Sequence, residues 1–457
     1  MPLNWTTHQI SDLLGGQSRG ADVAVAGMSH DTRLMTGGEL FLALKGQHSD
    51  GHDHLAEARA QGAGAALVSH GVDDPLPQVV VGDVLLAAGQ LAAAWRASLD
   101  VQVVGITGSN GKTSVKEMVA TILKREGETL ATAGNYNNEI GVPITLSRLG
   151  AEHRYAVIEM GAAREGDIRY LSQLAKPQVG ILTNAGPAHL ESFGSIDTIV
   201  QTKGELFRAL ADDGTAIINA DSPYASRWRD WAAHCHGVHF GVAPSAEFRA
   251  DIPDDYAMGQ AVPIDTPEGA FELVLTVPGQ HNISNALAAM AAAHTLGVPI
   301  ARAVEALATL NSVAQRLQIH HPTPTVVIID DSYNANPAST EAALGVLANQ
   351  AGERWLVLGD MLELGDAARS MHQAIGQQAA ALGIDRLFGL GPLARAAVAG
   401  FNEARQDTQG QWFDDAQALD VALTPPWPDR VAILVKGSRS MRMDRVVMSL
   451  MEAARSC

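Results

Sequence analysis

VQVVGITGSNGKTS, residues 101–114, carries an apolar, strand-like run into a glycine-rich turn that ends in Gly111-Lys112-Thr113. A strand entering such a turn and leaving it as a helix, here expected over 114–124, aims backbone N–H groups and the positive end of the helix at phosphates. Gly108, Ser109, Asn110, Gly111 and Ser114 then form the cradle for a nucleotide triphosphate. Lys112 reaches the β- and γ-phosphates and Thr113 holds magnesium. The spacing departs from the strict G-x4-G-K-T form, since Gly105 lies one residue too far from Gly111 and Gly108 too near. An ordinary glycine-rich strand-to-helix turn is the competing reading of the loop alone.

The rest of the chain is long enough to build around that loop. Its 457 residues exceed what one core usually organises, so two or three domains are expected. With 46% apolar and 18% charged residues it has the composition of a soluble globular protein. A net charge of -18 argues against a nucleic-acid partner, because such proteins concentrate lysine and arginine against phosphates. Cys235 and Cys457 give neither a metal-ligand spacing nor a disulfide framework, as in a reducing compartment. The start, MPLNWTTHQI, lacks a signal sequence, and no apolar run is long enough to insert in a membrane, so a cytoplasmic location is expected.

Periodicity divides the chain into three α/β parts. In 1–99, strand-like runs at 40–44, 65–68 and 79–81 alternate with helix-like segments such as 85–96. In 100–312, the phosphate loop is followed by strands at 155–159, 179–183 and 216–219 with helices between, the pattern of a parallel sheet. Residues 241–278 switch to short extended segments before a helical region reaching 310. In 313–457, strands at 326–329, 355–358, 386–389 and 432–435 make a second nucleotide-binding-type, Rossmann-like unit.

Further candidates stand where strands end. Glu159 closes YAVIE and is placed to bind a metal on the nucleotide, or is a solvated edge. His189, in NAGPAHLESFGS, completes a magnesium site or caps a turn. Lys203, in QTKGEL, reads as a lysine at a helix start, where its charge opposes the dipole and invites a functional reason; the alternative is a surface lysine. Asn282 and Asn285, in PGQHNISNALAA beside His281, share one helical face suited to a base edge or to an N-cap. Arg316 stands at the entry to the third part. The segment IIDDSYNANPAST, residues 328–340, delivers Asp331, Tyr333, Asn334 and Asn336 into a turn before a helix, the expected place for a ligand.

Taken in order, TGSNGKTS, EMGAAREGDI, NAGPAHLESFGS, KGEL, PGQHNISNALAA, DDSYNANPAS, VLGDMLELG and VKGSRSMRMD resemble the Mur ligase family of bacterial cell-wall synthesis, over the whole chain. DDSYNANP, LGDMLELG and KGSRSMRMD resemble the branch that adds D-alanyl-D-alanine to UDP-N-acetylmuramoyl-tripeptide. The resemblance implies a first domain binding the uridine diphosphate, a central ATPase domain and a third domain that closes on ATP and takes the dipeptide. It implies that ATP phosphorylates the terminal carboxylate of the peptide and that an amine attacks the resulting acyl phosphate. Lys112 and two magnesium ions would stabilise the charge, one ion held by Thr113 and the second by Glu159 and His189. Lys203 matches a position that is carbamylated in related ligases. By the same matching, His281, Asn282 and Asn285 would contact adenine, Arg316 the phosphates and Asp331 the ribose. Ser29, Thr32, Arg33, Lys45, Gly46, Asp50, Gly51 and His52 are the candidates for the uridine diphosphate; Asp50-Gly51-His52 also reads as a plain tight turn. Tyr333, Asn334, Asn336, Lys436 and Ser438 are those for the dipeptide. A monomer is expected.

Three other functions compete. A lysine- or diaminopimelate-adding ligase of the same family is the nearest, but the DNPR segment typical of the diaminopimelate enzyme is absent. A folylpolyglutamate synthase would carry its phosphate loop much closer to the N-terminus. A nucleotide switch that hydrolyses ATP without ligating anything leaves the first and third domains without a purpose.

Overall fold

A computed structural model describes residues 3–188, 190–253, 256–406 and 408–455. Among these, three sheets follow one another along the chain. The first has five strands in the order Gln17–Arg19, Gln78–Val80, Ala65–Val68, Leu40–Leu42 and Met28–Ser29, parallel except for the first pair. The third has six, in the order Gln318–Thr323, Val326–Asp331, Val431–Lys436, Glu353–Gly359, Arg386–Leu390 and Gly410–Phe413. It too is parallel apart from the edge pair at Gln318–Thr323, a strand whose polar residues give little apolar signal.

The central sheet has nine strands and positions the phosphate loop. Strand Gln102–Thr107 is flanked by Tyr155–Glu159 on one side and Val179–Leu182 on the other, both parallel to it. Its residues after Gln102 are all buried, as in a central parallel strand covered on both faces. The chain leaves this strand in one direction and later returns on the other side. That makes its carboxyl end a topological switch point, where α/β sheets open a ligand crevice. The sheet continues through Thr215–Asn219, His236–Gly241 and Phe248–Ala250 to an antiparallel hairpin of Ala261–Thr266 and Gly269–Val274. The hairpin is the Pro- and Gly-rich extended stretch of the sequence. Helix Lys112–Leu123 presents Val115, Met118, Val119, Ile122 and Leu123, all buried, at the three- and four-residue spacing of an apolar stripe.

The first and central units share one apolar core. Leu40, Leu67, Leu91 and Trp95 pack in the same cluster as Val142, Leu146, Ile158 and Leu171. The third unit has two cores of its own, one on each face of its sheet. No helix among the described residues is long and apolar enough to cross a membrane.

Candidate active site

The phosphate loop is held from three sides. Gly111 sits at φ +81 as the N-cap of helix Lys112–Leu123, and no side chain caps that helix. The first N–H groups of the helix are thus left for an anion. A Cβ on Gly111 would stand 2.7 Å from Asn285 Oδ1, and one on Gly108 would stand 1.9 Å from Thr183 Oγ1, so both positions require glycine. Asn110 donates its backbone N–H to Asn184 Oδ1 at 2.9 Å, and its carbonyl accepts from Thr183 Oγ1 at 2.6 Å. Ser109 Oγ donates to the carbonyl of Gly186 at 3.0 Å. Thr183 and Asn184 follow strand Val179–Leu182. A polar pair directly after an apolar strand was their only signal in the sequence.

The charged groups converge at the start of the helix. Lys112 Nζ folds back to donate to the carbonyls of Gly108, at 2.7 Å, and Ser109, at 3.3 Å. Burial lowers its pKa; Glu159 opposes that shift and Arg316 adds to it. Thr113 Oγ1 donates to Glu159 Oε2 at 3.0 Å and accepts from Arg316 Nη2 at 3.1 Å. Asn137 Nδ2 donates to Glu159 Oε1 at 2.8 Å, so both oxygens of this nearly buried carboxylate are aimed. Asn137 lies in a run of loop asparagines that reads as plain turn sequence. The Glu159 and Thr113 oxygens suit magnesium, which takes one or two carboxylate or hydroxyl ligands and keeps the rest for phosphate and water. His189, expected as a further ligand, lies outside the described residues, as does Cys457.

Lys203 is not at a helix start. It lies well inside helix Ile196–Arg208, whose N-cap is Ser195, so the dipole argument for it does not hold. What sets it apart is burial: it is 3% exposed, and burial together with the charge of Lys112 drives its pKa well below the ordinary lysine range. Its amine makes no hydrogen bond or ion pair with any described residue. Asn282 and Asn285 do not cap a helix either, because Gln280 is the N-cap of His281–Thr295. Asn285 Nδ2 donates to Asn282 Oδ1 at 2.9 Å, and Asn282 Nδ2 donates to the carbonyl of Pro278. This pair stands behind the phosphate loop. Burial also lowers the pKa of His281, partly offset by Asp331.

The third unit reaches the same place from its strand ends. Asp331 and Lys436 are register partners on adjacent parallel strands and form a buried ion pair. Lys436 Nζ also donates to the carbonyl of Asn334 at 3.0 Å, and Asp331 Oδ1 accepts from the backbone of Leu317 at 3.2 Å. Both residues were expected to contact ligand, yet their charges are largely spent on each other. Asn336 caps helix Pro337–Ala348 in a capping box, and its Nδ2 donates to Asn110 Oδ1 at 2.7 Å. Arg316 stacks on Tyr333, its Cζ 4.1 Å from the ring centroid. Ser438 Oγ accepts from the backbone of Leu362 at 2.8 Å.

These groups enclose a cavity of about 1010 Å³ between the central and third units. It is lined by Ser109 to Ser114, Glu159, Lys203, His281, Asn282, Asn285, Arg316, Asp331, Tyr333, Asn334, Asn336, Lys436 and Ser438. Of the phosphate-loop candidates only Gly108 stays behind the wall. None of the eight first-unit candidates lines it. Those form a separate group, bonded within itself. Thr32 Oγ1 donates to Glu57 at 2.8 Å, Arg33 forks onto Asp31, and Ser29 Oγ donates to the carbonyl of Asp31. Gly46 donates to the carbonyl of Ser49 and Gly51 to that of Leu44, while Lys45 and Asp50 form a backbone bridge. His52 Nδ1 bonds Asp50 at 2.6 Å and its Nε2 accepts from the backbone of Ser69 at 2.9 Å.

Comparison with known proteins agrees with this architecture. The Mur ligase family, catalytic domain, matches residues 24–96; the Mur ligase middle domain matches 106–293; and the Mur ligase glutamate ligase domain matches 315–439. UDP-N-acetylmuramoyl-tripeptide–D-alanyl-D-alanine ligase of Escherichia coli (strain K12) is 42% identical, covering 98% of both chains. The chain belongs to the Mur ligase family. A crystal structure of MurF from Acinetobacter baumannii, 35% identical, superposes over 99% of this chain and 100% of that one with a TM-score of 0.89. A MurF ligase from Thermotoga maritima in complex with ADP, 25% identical, covers 94% and 98% with a TM-score of 0.82. Three α/β units around a phosphate loop are thus the shared Mur ligase architecture.

Proposed function

We propose that the protein joins D-alanyl-D-alanine to UDP-N-acetylmuramoyl-tripeptide, cleaving ATP to ADP and phosphate and releasing UDP-N-acetylmuramoyl-pentapeptide for peptidoglycan synthesis. The observation that carries this reading is the single cavity in which the phosphate loop faces the strand ends of the third unit. Full-length similarity to ligases named for this reaction supports it.

The chemistry begins from a carboxylate that resists amines, because its leaving group would be oxide. A carboxylate oxygen of the tripeptide attacks the γ-phosphorus, ADP departs, and the carboxyl becomes an acyl phosphate. The dipeptide amine, as the free base, adds to the acyl carbon. The tetrahedral intermediate collapses to an amide and phosphate, and the amine proton passes to solvent or a basic oxygen. Lys112 is placed to turn from the loop carbonyls to the transferred phosphoryl group, with Arg316 beside it. Magnesium would be held by Thr113, with Glu159 and His189 for a second ion, and would supply positive charge to the phosphates. The buried, unpaired Lys203 fits a carbamate: a depressed amine pKa leaves the amine free to add carbon dioxide and lose a proton, and the resulting anion would support the second ion. His281, Asn282 and Asn285 form the adenine side and Asp331 the ribose side.

We assign residues 1–99 to the uridine diphosphate, 100–312 to ATP and 313–457 to closure and the dipeptide. Because the first-unit candidates lie outside the cavity, they act as a handle for the nucleotide end of the substrate, with the peptide reaching inward. Closure excludes water from a hydrolysable intermediate. The test is phosphate release from ATP and magnesium with UDP-N-acetylmuramoyl-tripeptide, with and without D-alanyl-D-alanine, alongside mass detection of the product. Release that needs both substrates and yields the UDP-pentapeptide is expected. Release with neither substrate, or with a free amino acid in place of the dipeptide, would overturn the assignment.

A further inference from the structure

The third-unit wall of the cavity carries three cations, and two of them are already engaged. Lys436 is paired with Asp331, and Arg316 donates to Thr113 at the phosphate end. The third, Arg439, is exposed at the start of the short turn Arg439–Met441, just beyond strand Val431–Lys436. Its guanidinium carbon lies 4.8 Å from the centroid of Tyr333, the same ring that carries Arg316. Among the described residues no carboxylate pairs with Arg439, and it lines the cavity beside Ser438 and Ser440. Tyr333 therefore spaces two guanidiniums, one at the phosphates and one free.

The incoming dipeptide needs such a group. To attack, its ammonium must lose a proton, and the reactive form is then an anion whose charge sits on the far carboxylate. A chain of net charge -18 repels that anion unless a local cation receives it. The two guanidinium carbons can be no farther apart than their two distances to the Tyr333 centroid taken together. An extended dipeptide spans roughly 7 Å, at about 3.5 Å per residue. A chain of that length can place its amine near the acyl phosphate beside Arg316 and its carboxylate on Arg439. A single amino acid spans about half that length. The fork of an arginine also suits bidentate capture of a carboxylate.

We propose that Arg439, held on Tyr333, receives the C-terminal carboxylate of D-alanyl-D-alanine and thereby selects a dipeptide over a single amino acid. This rests on the ligase reading above. The test compares wild type, Arg439→Gln and Arg439→Lys, each with D-alanyl-D-alanine and with D-alanyl-D-alaninamide, which keeps the amine and lacks the carboxylate. Wild type should prefer the acid over the amide in kcat/KM by roughly ten- to a hundred-fold, the range of one charged hydrogen-bonded contact. In Arg439→Gln the KM for the dipeptide should rise by a similar factor, the KM for ATP and UDP-tripeptide should hold, and the preference for acid over amide should collapse. Arg439→Lys should recover part of it. If Arg439→Gln keeps the wild-type preference, whatever its absolute rate, the proposal is wrong and the ligase reading stands. If wild type forms no UDP-pentapeptide at all, both fall.

Discussion

The two junctions between the three units are built from different materials. At the first, Trp95 of the first unit is buried against the central unit and donates its indole N–H to the carbonyl of Leu149 at 2.9 Å. Arg96 is buried with it and donates to the carbonyls of Ala175 and Val101. At the second junction, the central and third units face each other across a cavity, joined by polar contacts such as Asn336 to Asn110 and Arg316 to Thr113. An apolar core has no second arrangement of equal energy, whereas a few hydrogen bonds exchange readily with water. The first two units are thereby joined as one frame, and the polar junction is where the closure proposed for the third unit would take place.

The largest effect is expected at Lys112, on the central unit's wall of the cavity at the second junction. Lys112→Ala should lower turnover by a thousandfold or more, at the level of about 4 kcal/mol of transition-state stabilisation, with an unchanged melting temperature. Normal turnover would remove the phosphate loop from the mechanism. Trp95→Ala, at the apolar junction, should cost about 3–5 kcal/mol in urea unfolding, the usual loss for a buried large aromatic. A loss near zero would show that the first unit is not fused to the frame.

Next in size is a pH effect at Lys203. Its folded pKa lies below the unfolded value, so between the two the unfolded chain binds the extra proton and folding stability rises with pH. Below the folded pKa the cost of burying the charge is present in full. Lys203→Met should thus be more stable than wild type near neutral pH, and the gap should narrow as pH rises toward the ordinary lysine range. A gap independent of pH in urea titrations would mean that Lys203 is not a buried, uncarbamylated amine in the free protein. The smallest effect is at the polar junction. Asn336→Ser keeps a capping side chain but is too short to reach Asn110. It should lower kcat/KM by up to about tenfold while the melting temperature holds, since one neutral hydrogen bond is worth about 1 kcal/mol. A loss of stability instead would place Asn336 in the fold and not in closure.

Legibility in the sequence follows the same division. The phosphate loop could be read because a strand, two obligatory glycines and a lysine are local, and the strands of the parallel sheets announced themselves as apolar runs. The contacts that aim the loop and Glu159 could not be read that way. Asn137, Asn184 and Thr183 lie far from them in sequence, and asparagine before a helix reads first as a turn residue. Lys203 reads as a helix start only if the cap signal of Ser195 and the acidic first turn at Asp197, eight and six residues upstream, are passed over. Lys436 and Asp331 looked like ligand contacts until the strand register brought them together. Arg439 lies within VKGSRSMRMD, but only the shared ring of Tyr333 shows what it faces.

The most direct measurement of the central claim follows oxygen. UDP-N-acetylmuramoyl-tripeptide labelled with oxygen-18 in its terminal carboxylate is turned over with ATP and D-alanyl-D-alanine, and the released phosphate is weighed. An acyl phosphate carries one carboxylate oxygen into the leaving phosphate, so the account predicts phosphate bearing one labelled atom and a pentapeptide amide retaining the other. Unlabelled phosphate would mean that ATP is hydrolysed without activating the carboxylate, and the ligase mechanism drawn from this cavity would be wrong.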